Sequence, residues 1–208
     1  MSGRIVIDLF STLDGVVQGP GGPEEDVEGG FAYGGWQAPL LDDAVGEQVM
    51  AGMSEMDALL LGRKTYDIFA GYWPTQDERD TDVARTFNRI PKYVVSRGAP
   101  RLDWEGSTLV GPDLTAEVAA LRERHASVHV VGSAELARTL VARRLFDVLN
   151  LWVYPVVLGP GKRLFPDDGP SLGLRLLQPP VSGGVAVLLR YGPGEEVRTG
   201  DMTTDDRP

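Results

Sequence analysis

Short apolar runs that stop at a glycine or hydroxyl residue recur along this chain. Each is followed by apolar positions three and four residues apart, a pattern that predicts alternating strands and helices. Arg4 to Phe10 sets Ile5, Val6, Ile7, Leu9 and Phe10 around a single Asp8 and reads as the first strand, leaving through an Asp14-Gly15 turn. Leu59-Leu60-Leu61 is continuously apolar, as in a strand covered on both faces, and stops at Gly62 before Arg63, Lys64 and Thr65. The helix that follows is expected to end near Gly71-Tyr72-Trp73-Pro74. Lys92-Tyr93-Val94-Val95 predicts a strand ending at Ser96-Arg97-Gly98, and Val128-His129-Val130-Val131 predicts another ending at Gly132-Ser133. Ala134 to Arg144 then carries Leu136, Ala137, Leu140 and Val141 on one helical face, with Ser133 as a natural N-cap.

The same reading gives helices over Pro39 to Met53, Val83 to Arg89 and Leu114 to Arg124, and a weak strand at Thr108-Leu109-Val110. Leu145 to Leu158 suggests a long strand bent at Pro155; Leu172 to Gln178 and Val185 to Tyr191 complete the sheet across a Pro- and Gly-containing turn. Gly19 to Gly35 is rich in Gly, Pro and acids and is too long for a simple connection. It is either a mobile surface loop or a cover for a ligand, and Phe31, Tyr33 and the adjoining Trp36 favour the cover. The expected architecture is α/β, with a mostly parallel sheet closed by late antiparallel strands. Residues 1–191 are expected to form a single domain, and 192–208 a disordered polar tail.

Composition narrows the function classes. The 42% hydrophobic and 24% charged fractions are ordinary for a globular protein, and no apolar run approaches the roughly 20 residues that span a bilayer. Met1-Ser2-Gly3-Arg4 lacks the apolar stretch of an export signal, which makes the cytoplasm the expected location. With no cysteine, thiol nucleophiles and thiolate metal sites are excluded, and with only His125 and His129 no metal site is expected. The net charge of −10 disfavours nucleic acid, whose binding needs clustered cations. A local basic pocket for one small anionic ligand remains compatible with it.

Arg63, Lys64 and Arg97 stand out against that acidic background. Ligands of open α/β sheets bind beyond the carboxyl ends of strands, and three such ends carry suitable residues. These are Gly62 to Thr65, Ser96 with Arg97, and Gly132 to Leu136. Glycine lets a ligand approach the backbone, and free amides at a helix start favour phosphate. The alternative is that each is a plain strand-to-helix turn with solvated cations. Neither the Gly-x-Gly-x-x-Gly fingerprint after the first strand nor a triphosphate-binding loop is present. Hydride transfer asks little of side chains, because the cofactor carries the chemistry. Asp14, Asp42, Asp43 and Tyr154 are candidate proton donors, with turn, helix-dipole and core roles as their alternatives.

Three segments in order resemble the dihydrofolate reductase superfamily. They are Asp57-Ala58-Leu59-Leu60-Leu61-Gly62-Arg63-Lys64-Thr65-Tyr66, Val130-Val131-Gly132-Ser133-Ala134-Glu135-Leu136, and Tyr154-Pro155-Val156-Val157-Leu158-Gly159-Pro160-Gly161-Lys162-Arg163-Leu164-Phe165. More closely, residues 3 to 191 resemble stand-alone relatives of the reductase domain of the riboflavin-biosynthesis deaminase-reductase. The resemblance implies a dihydrofolate-reductase-like three-layer sandwich with about eight strands, often homodimeric, using NADPH to reduce a small heterocyclic substrate, pteridine-like or pyrimidine-like. It implies that Gly62, Arg63, Lys64 and Thr65 bind cofactor phosphates, with Ser96 and Arg97 on the adenosine-phosphate side. Val131, Gly132, Ser133, Ala134, Glu135 and Leu136 then form the pyrophosphate turn, and Leu13, Asp14, Gly15 and Val16 lie beside nicotinamide. Asp14 and Tyr154 are the catalytic candidates. No deaminase domain or zinc motif accompanies the match. The alternative function is a non-catalytic NADP(H)-binding or regulatory module.

Overall fold

Leu59, Leu60 and Leu61 are wholly buried near the middle of a nine-stranded sheet, which explains their unbroken apolar run. A computed structural model of the chain describes residues 2–79 and 81–201. The strands are β1 (Arg4–Thr12), β2 (Ala58–Gly62), β3 (Lys92–Val95), β4 (Ser107–Leu109), β5 (Ser127–Val130), β6 (Val148–Tyr154), β7 (Leu174–Leu176), β8 (Val181–Gly183) and β9 (Ala186–Pro193). The α-helices are α1 (Asp43–Met53), α2 (Arg63–Tyr72), α3 (Asp82–Arg89), α4 (Leu114–Arg124) and α5 (Ala134–Ala142). The strand order is β4-β3-β2-β5-β1-β6-β9-β7, with β8 also on β9. Pairings from β4 to β6 are parallel, and those of β9 with β6, β7 and β8 are antiparallel.

Alternation along the strands divides the core into two apolar layers. Ile5, Ile7, Leu60 and Val130 face one way, against Val118 and Leu121 of α4 and Leu136 and Leu140 of α5. Leu59, Leu61 and Val94 face the other way, with Met53 of α1, Tyr66 of α2 and Phe87 of α3. This placement is what right-handed crossovers require when the chain moves first one way from β1 and later back from β4. The helices after β1 and β2 leave toward one face, whereas α5, after the intervening β5, leaves toward the other.

Several boundaries differ from the sequence reading, each for a local reason. The strand expected to bend at Pro155 stops at Tyr154, because proline has no N–H for the ladder, and the Val156 amide turns back to the Tyr154 carbonyl at 2.8 Å. α1 begins at Asp43 rather than Pro39: Ala38–Leu40 forms a short 3-10 turn, and the extended Asp42 caps the helix by accepting from the Val45 amide at 2.8 Å. α5 ends two residues early, at Ala142. Arg144 there adopts φ 55°, and the Leu145 amide reaches the Leu140 carbonyl, closing the helix as a Schellman motif. The turn expected between the last strands contains β8. β9 continues through Pro193, so the start of the expected tail is in the sheet, and residues 202–208 of that tail lie outside the described residues. Among the described residues no helix is long and apolar enough to cross a membrane.

Two polar features sit inside this core. Asp8 accepts from Asn150 at 2.7 Å and pairs with His129 at 2.6 Å, while Arg190 donates to Asn150 at 2.9 Å, so a polar row joins β5, β1, β6 and β9. Lys92 is wholly buried: its ammonium donates to the carbonyls of Asn88 at 2.7 Å and Glu105 at 3.0 Å and lies 4.4 Å from the Trp104 ring centre.

Burial lowers the Lys92 pKa from 10.5 to about 8. Between those values the unfolded chain holds more protons than the folded one, so this residue adds stability as pH rises from about 8 to 10.5. Urea unfolding of the wild type and Lys92→Met should show the wild type gaining on the order of 2 kcal/mol on the variant across that window. A constant difference would mean that the ammonium keeps its aqueous affinity for the proton.

Candidate functional site

The carboxyl ends of β2 and β5 are in direct contact. Gly62 donates its amide to the Gly132 carbonyl at 3.2 Å. A Cβ on Gly62 would run into the Ser133 hydroxyl and stand 2.9 Å from the Ser133 Cβ. A Cβ on Gly132, at φ +139°, would stand 2.6 Å from the Thr65 hydroxyl oxygen. The Gly132-Ser133 peptide is cis. Only two glycines let these strand ends close, and their closure sets the starts of α2 and α5 side by side. Because α2 and α5 leave toward opposite faces, this is a topological switch point, where open α/β sheets form their ligand crevice.

The two helix starts differ in one respect. Ser133 caps α5, accepting from the Leu136 amide at 3.4 Å, and α1, α3 and α4 are capped by Asp42, Thr81 and Asp113. α2 begins at Gly62 and has no side-chain cap. Its first-turn amides are therefore suited to an outside anion. Thr65 lies over Gly132, and Arg63 and Lys64 occupy the first two positions of the helix.

The remaining predicted cofactor residues lie along the same edge. Ser96 and Arg97 follow β3, and the Arg97 guanidinium reaches across to Glu135 in the first turn of α5, at 2.6 Å. Val131, Gly132, Ser133, Ala134, Glu135 and Leu136 run from β5 into α5, with the Leu136 side chain in the core. On the other side, β1 ends in a tight turn: the Gly15 amide reaches the Thr12 carbonyl at 3.0 Å, and Gly15 has φ +84°. That turn leaves Leu13 67% exposed, whereas Val16 is fully buried, with its amide on the Thr12 hydroxyl and its carbonyl on the Thr12 amide, both at 2.9 Å, so the predicted contact with a ligand is not available to it.

Asp14 is a clasp. Its carboxylate accepts from the Thr12 hydroxyl at 2.6 Å and the amides of Gly159 at 2.8 Å and Leu158 at 3.2 Å. The Thr12 hydroxyl first, then these amides, hold its pKa below the ordinary carboxylate range. An ionised Asp14 fixes the turn after β6 and does not store a proton at neutral pH. Asp42, whose pKa is lowered by the amides of Val45 and Val185, is likewise an acceptor. Tyr154 lies in a core with Trp36 and Phe10, is fully buried, and accepts a hydrogen bond from Gln37 at 2.8 Å. Burial raises its pKa. Tyr154 thus anchors the loop that follows β1, and the structure does not bring it to Asp14's turn as a surface group.

That loop, residues 18–37, crosses the edge. The Trp36 indole donates to the Gln18 carbonyl at 2.9 Å, and the Gln18 side chain donates to the carbonyls of Asp26 and Glu28 at 3.1 and 3.0 Å. Gln18 also accepts from the Lys162 amide at 3.0 Å. Glu28 pairs with Lys64, and with Lys162 at 2.6 Å, and Lys162 pairs with Asp26. Sequence reasoning assigned no role to Gln18, Glu28 or Lys162. The signal for Lys162 was its place directly after Gly159-Pro160-Gly161, but its partners come from more than 130 residues away. No group of three or more acids and histidines among the described residues is arranged to hold a metal.

A three-layer α/β protein whose β2 and β5 ends meet through glycines at a topological switch point defines the class, and this is the fold of dihydrofolate reductase. The chain belongs to the RibD C-terminal domain family, which it matches over residues 4–186. It is 28% identical over 177 residues to the uncharacterized protein YyaP of Bacillus subtilis (strain 168), covering 84% of this chain and 86% of that one. Its structure is similar to a pyrimidine reductase-like protein from Corynebacterium diphtheriae, with a TM-score of 0.62, 14% identity, and 93% of each chain covered. It is also similar to dihydrofolate reductase from Enterococcus faecalis complexed with NADP(H), with a TM-score of 0.57, 14% identity, 94% of this chain and 99% of the other.

Gly62→Ala should destabilise the protein by about 1–3 kcal/mol, because the added methyl must push the two strand ends apart. Gly46→Ala, in the interior of α1 with open space around its Cβ position, should stabilise by about 0.5–1 kcal/mol. Paired denaturant titrations test both. Equal effects of the two substitutions would show that the β2–β5 contact is not tight.

Proposed function

We propose that this chain is an NADPH-dependent reductase of a small heterocycle, pyrimidine-like or pteridine-like. The observation that carries the reading is the glycine contact between β2 and β5, which sets an uncapped helix start with Arg63, Lys64 and Thr65 beside the start of α5. A pyrophosphate fits that provision, since it needs backbone amides at close approach and cations nearby. Arg97, 92% exposed at its side chain beyond β3, is suited to a terminal phosphate on the adenosine side. The family, the reductase-like neighbour and the neighbour holding NADP(H) support the same reading.

Bound NADPH would supply the hydride. The chain's own residues bind and orient: the first-turn amides of α2, Arg63 to Thr65, and the α5 start hold phosphates, and the Leu13 turn offers an apolar wall for a flat ring. Hydride addition to a carbon–nitrogen double bond must be completed by one proton. With Asp14 and Asp42 held as carboxylates and Tyr154 buried, solvent water is the donor in this reading. The same observation favours a second reading, a module that binds NADP(H) without turnover.

Titration of the protein with NADPH and NADH should show tighter binding of NADPH. Arg97→Ala should weaken NADPH by about 3- to 10-fold while changing NADH less, and Arg63→Ala, at the pyrophosphate that both cofactors carry, should weaken both. Equal affinity for both cofactors, or none, would overturn the cofactor assignment. Oxidation of NADPH in the presence of pyrimidine or pteridine substrates separates the enzyme from the binding module, which would bind and not oxidise.

A further inference from the structure

The cations expected to meet phosphate already hold carboxylates: Arg63 pairs with Asp67, Arg97 with Glu135 and Lys64 with Glu28. These contacts are not equivalent. Arg63 and Asp67 lie one turn apart on α2, and parting Arg97 from Glu135 frees only two exposed side chains. Glu28 belongs to the long loop after β1. A single oxygen, Oε2, receives both the Lys64 ammonium from α2 and the Lys162 ammonium from the turn after β6. Two cations from opposite sides of the crevice converge on that one atom, as they would on a phosphate oxygen. They hold Glu28 ionised, lowering its pKa to about 2, with Lys162 the larger cause and Lys64 the second.

The loop is shaped to deliver this carboxylate. Gln18 binds the carbonyls of Asp26 and Glu28 from within, and its own carbonyl oxygen on the side chain takes the Lys162 amide. Gly161, at φ +129°, brings the Lys162 backbone close to Val16 and Phe31, where a Cβ would stand 2.6 Å from Val16 and 3.0 Å from the Phe31 ring. Lys162 is thus fixed at its backbone and paired at its tip, 27% exposed.

We propose that Lys64 and Lys162 form a two-sided phosphate clamp and that Glu28 is its resident counter-ion, closing the loop across the crevice until a ligand phosphate takes its place. This rests on the reading of the crevice as a dinucleotide site, and it adds Lys162 and Glu28 to that site. Displacement exchanges one anion for another between the same two ammonium groups, so phosphate binding and release of the Glu28 contact are one event. Affinity for phosphate is therefore set against the loop's own carboxylates, Glu28 between the two ammonium groups and Asp26, which also pairs with Lys162.

The test is binding of NADPH and, separately, of inorganic pyrophosphate to the wild type, Glu28→Gln, Lys162→Gln and the double variant. Removing the competing charge should tighten both ligands by about 2- to 5-fold in Glu28→Gln. Lys162→Gln should weaken both, and Glu28→Gln should have a smaller effect on the Lys162→Gln background. Hydrogen exchange over residues 18–37 should quicken in Glu28→Gln, and in the wild type when pyrophosphate is added. If pyrophosphate tightens in Glu28→Gln while NADPH binds neither protein, the clamp stands and the dinucleotide reading falls. If NADPH binds the wild type and Glu28→Gln equally, the clamp is wrong and the dinucleotide reading stands.

Discussion

The contact between Gly62 and Gly132 with Ser133 is the constraint on which the site depends. Neighbouring strands lie about 4.8 Å apart, and at their ends the chain must turn into helices that leave toward opposite faces. A side chain at either position would fill the space where the two turns meet, and the helix starts would separate. With glycine at both, the Gly62 amide is satisfied by the Gly132 carbonyl, and the partial positive ends of α2 and α5 add at one place. The buried leucines of β2 supply the rigidity: Leu59, Leu60 and Leu61 have no exposed surface, and burying each contributes about 1.5–3 kcal/mol.

Electrostatics works locally here and against the overall charge. A net charge of −10 repels anions at long range, yet that field is screened over about 8–10 Å in physiological salt. The carboxyl edge of the sheet carries Arg63, Lys64, Arg97 and Lys162, each paired with an acid. Exposed pairs such as Arg63–Asp67 and Arg97–Glu135 contribute at most about 1 kcal/mol each, so a ligand phosphate can exchange for the carboxylate at low cost. The capping pattern points the same way. Four of the five α-helices described end their N-termini on their own side chains, and α2 does not.

The second organising element is the 18–37 loop, and it explains why two residues that look chemical serve as supports. Tyr154 is held between Trp36 and Phe10 with its hydroxyl on Gln37, so it fixes the far end of the loop. Asp14 binds the Leu158 and Gly159 amides, so it fixes the turn that presents Lys162.

The strands, the helices and the breaks at Gly62, Ser96 and Gly132 were legible in the sequence, because each depends on neighbours a few residues away. Apolar runs, the Ser133 cap and the Gly62 and Gly132 breaks are local signals, and parallel order follows from their alternation. Lys92, inside a strand pattern, and the shortened strand at Pro155 show the limits of that signal, since propensity gives no burial or ladder partner. Pairings between distant residues were set only by tertiary structure. The sheet order placed β5 between β2 and β1, and this joined Gly62 to Gly132, Arg97 to Glu135, and Glu28 to both Lys64 and Lys162. Whether a tyrosine is packed into a core, and whether an acid already bonded to its neighbour Thr12 also clasps the Leu158 and Gly159 amides, depends on groups more than 100 residues away, which no local pattern encodes.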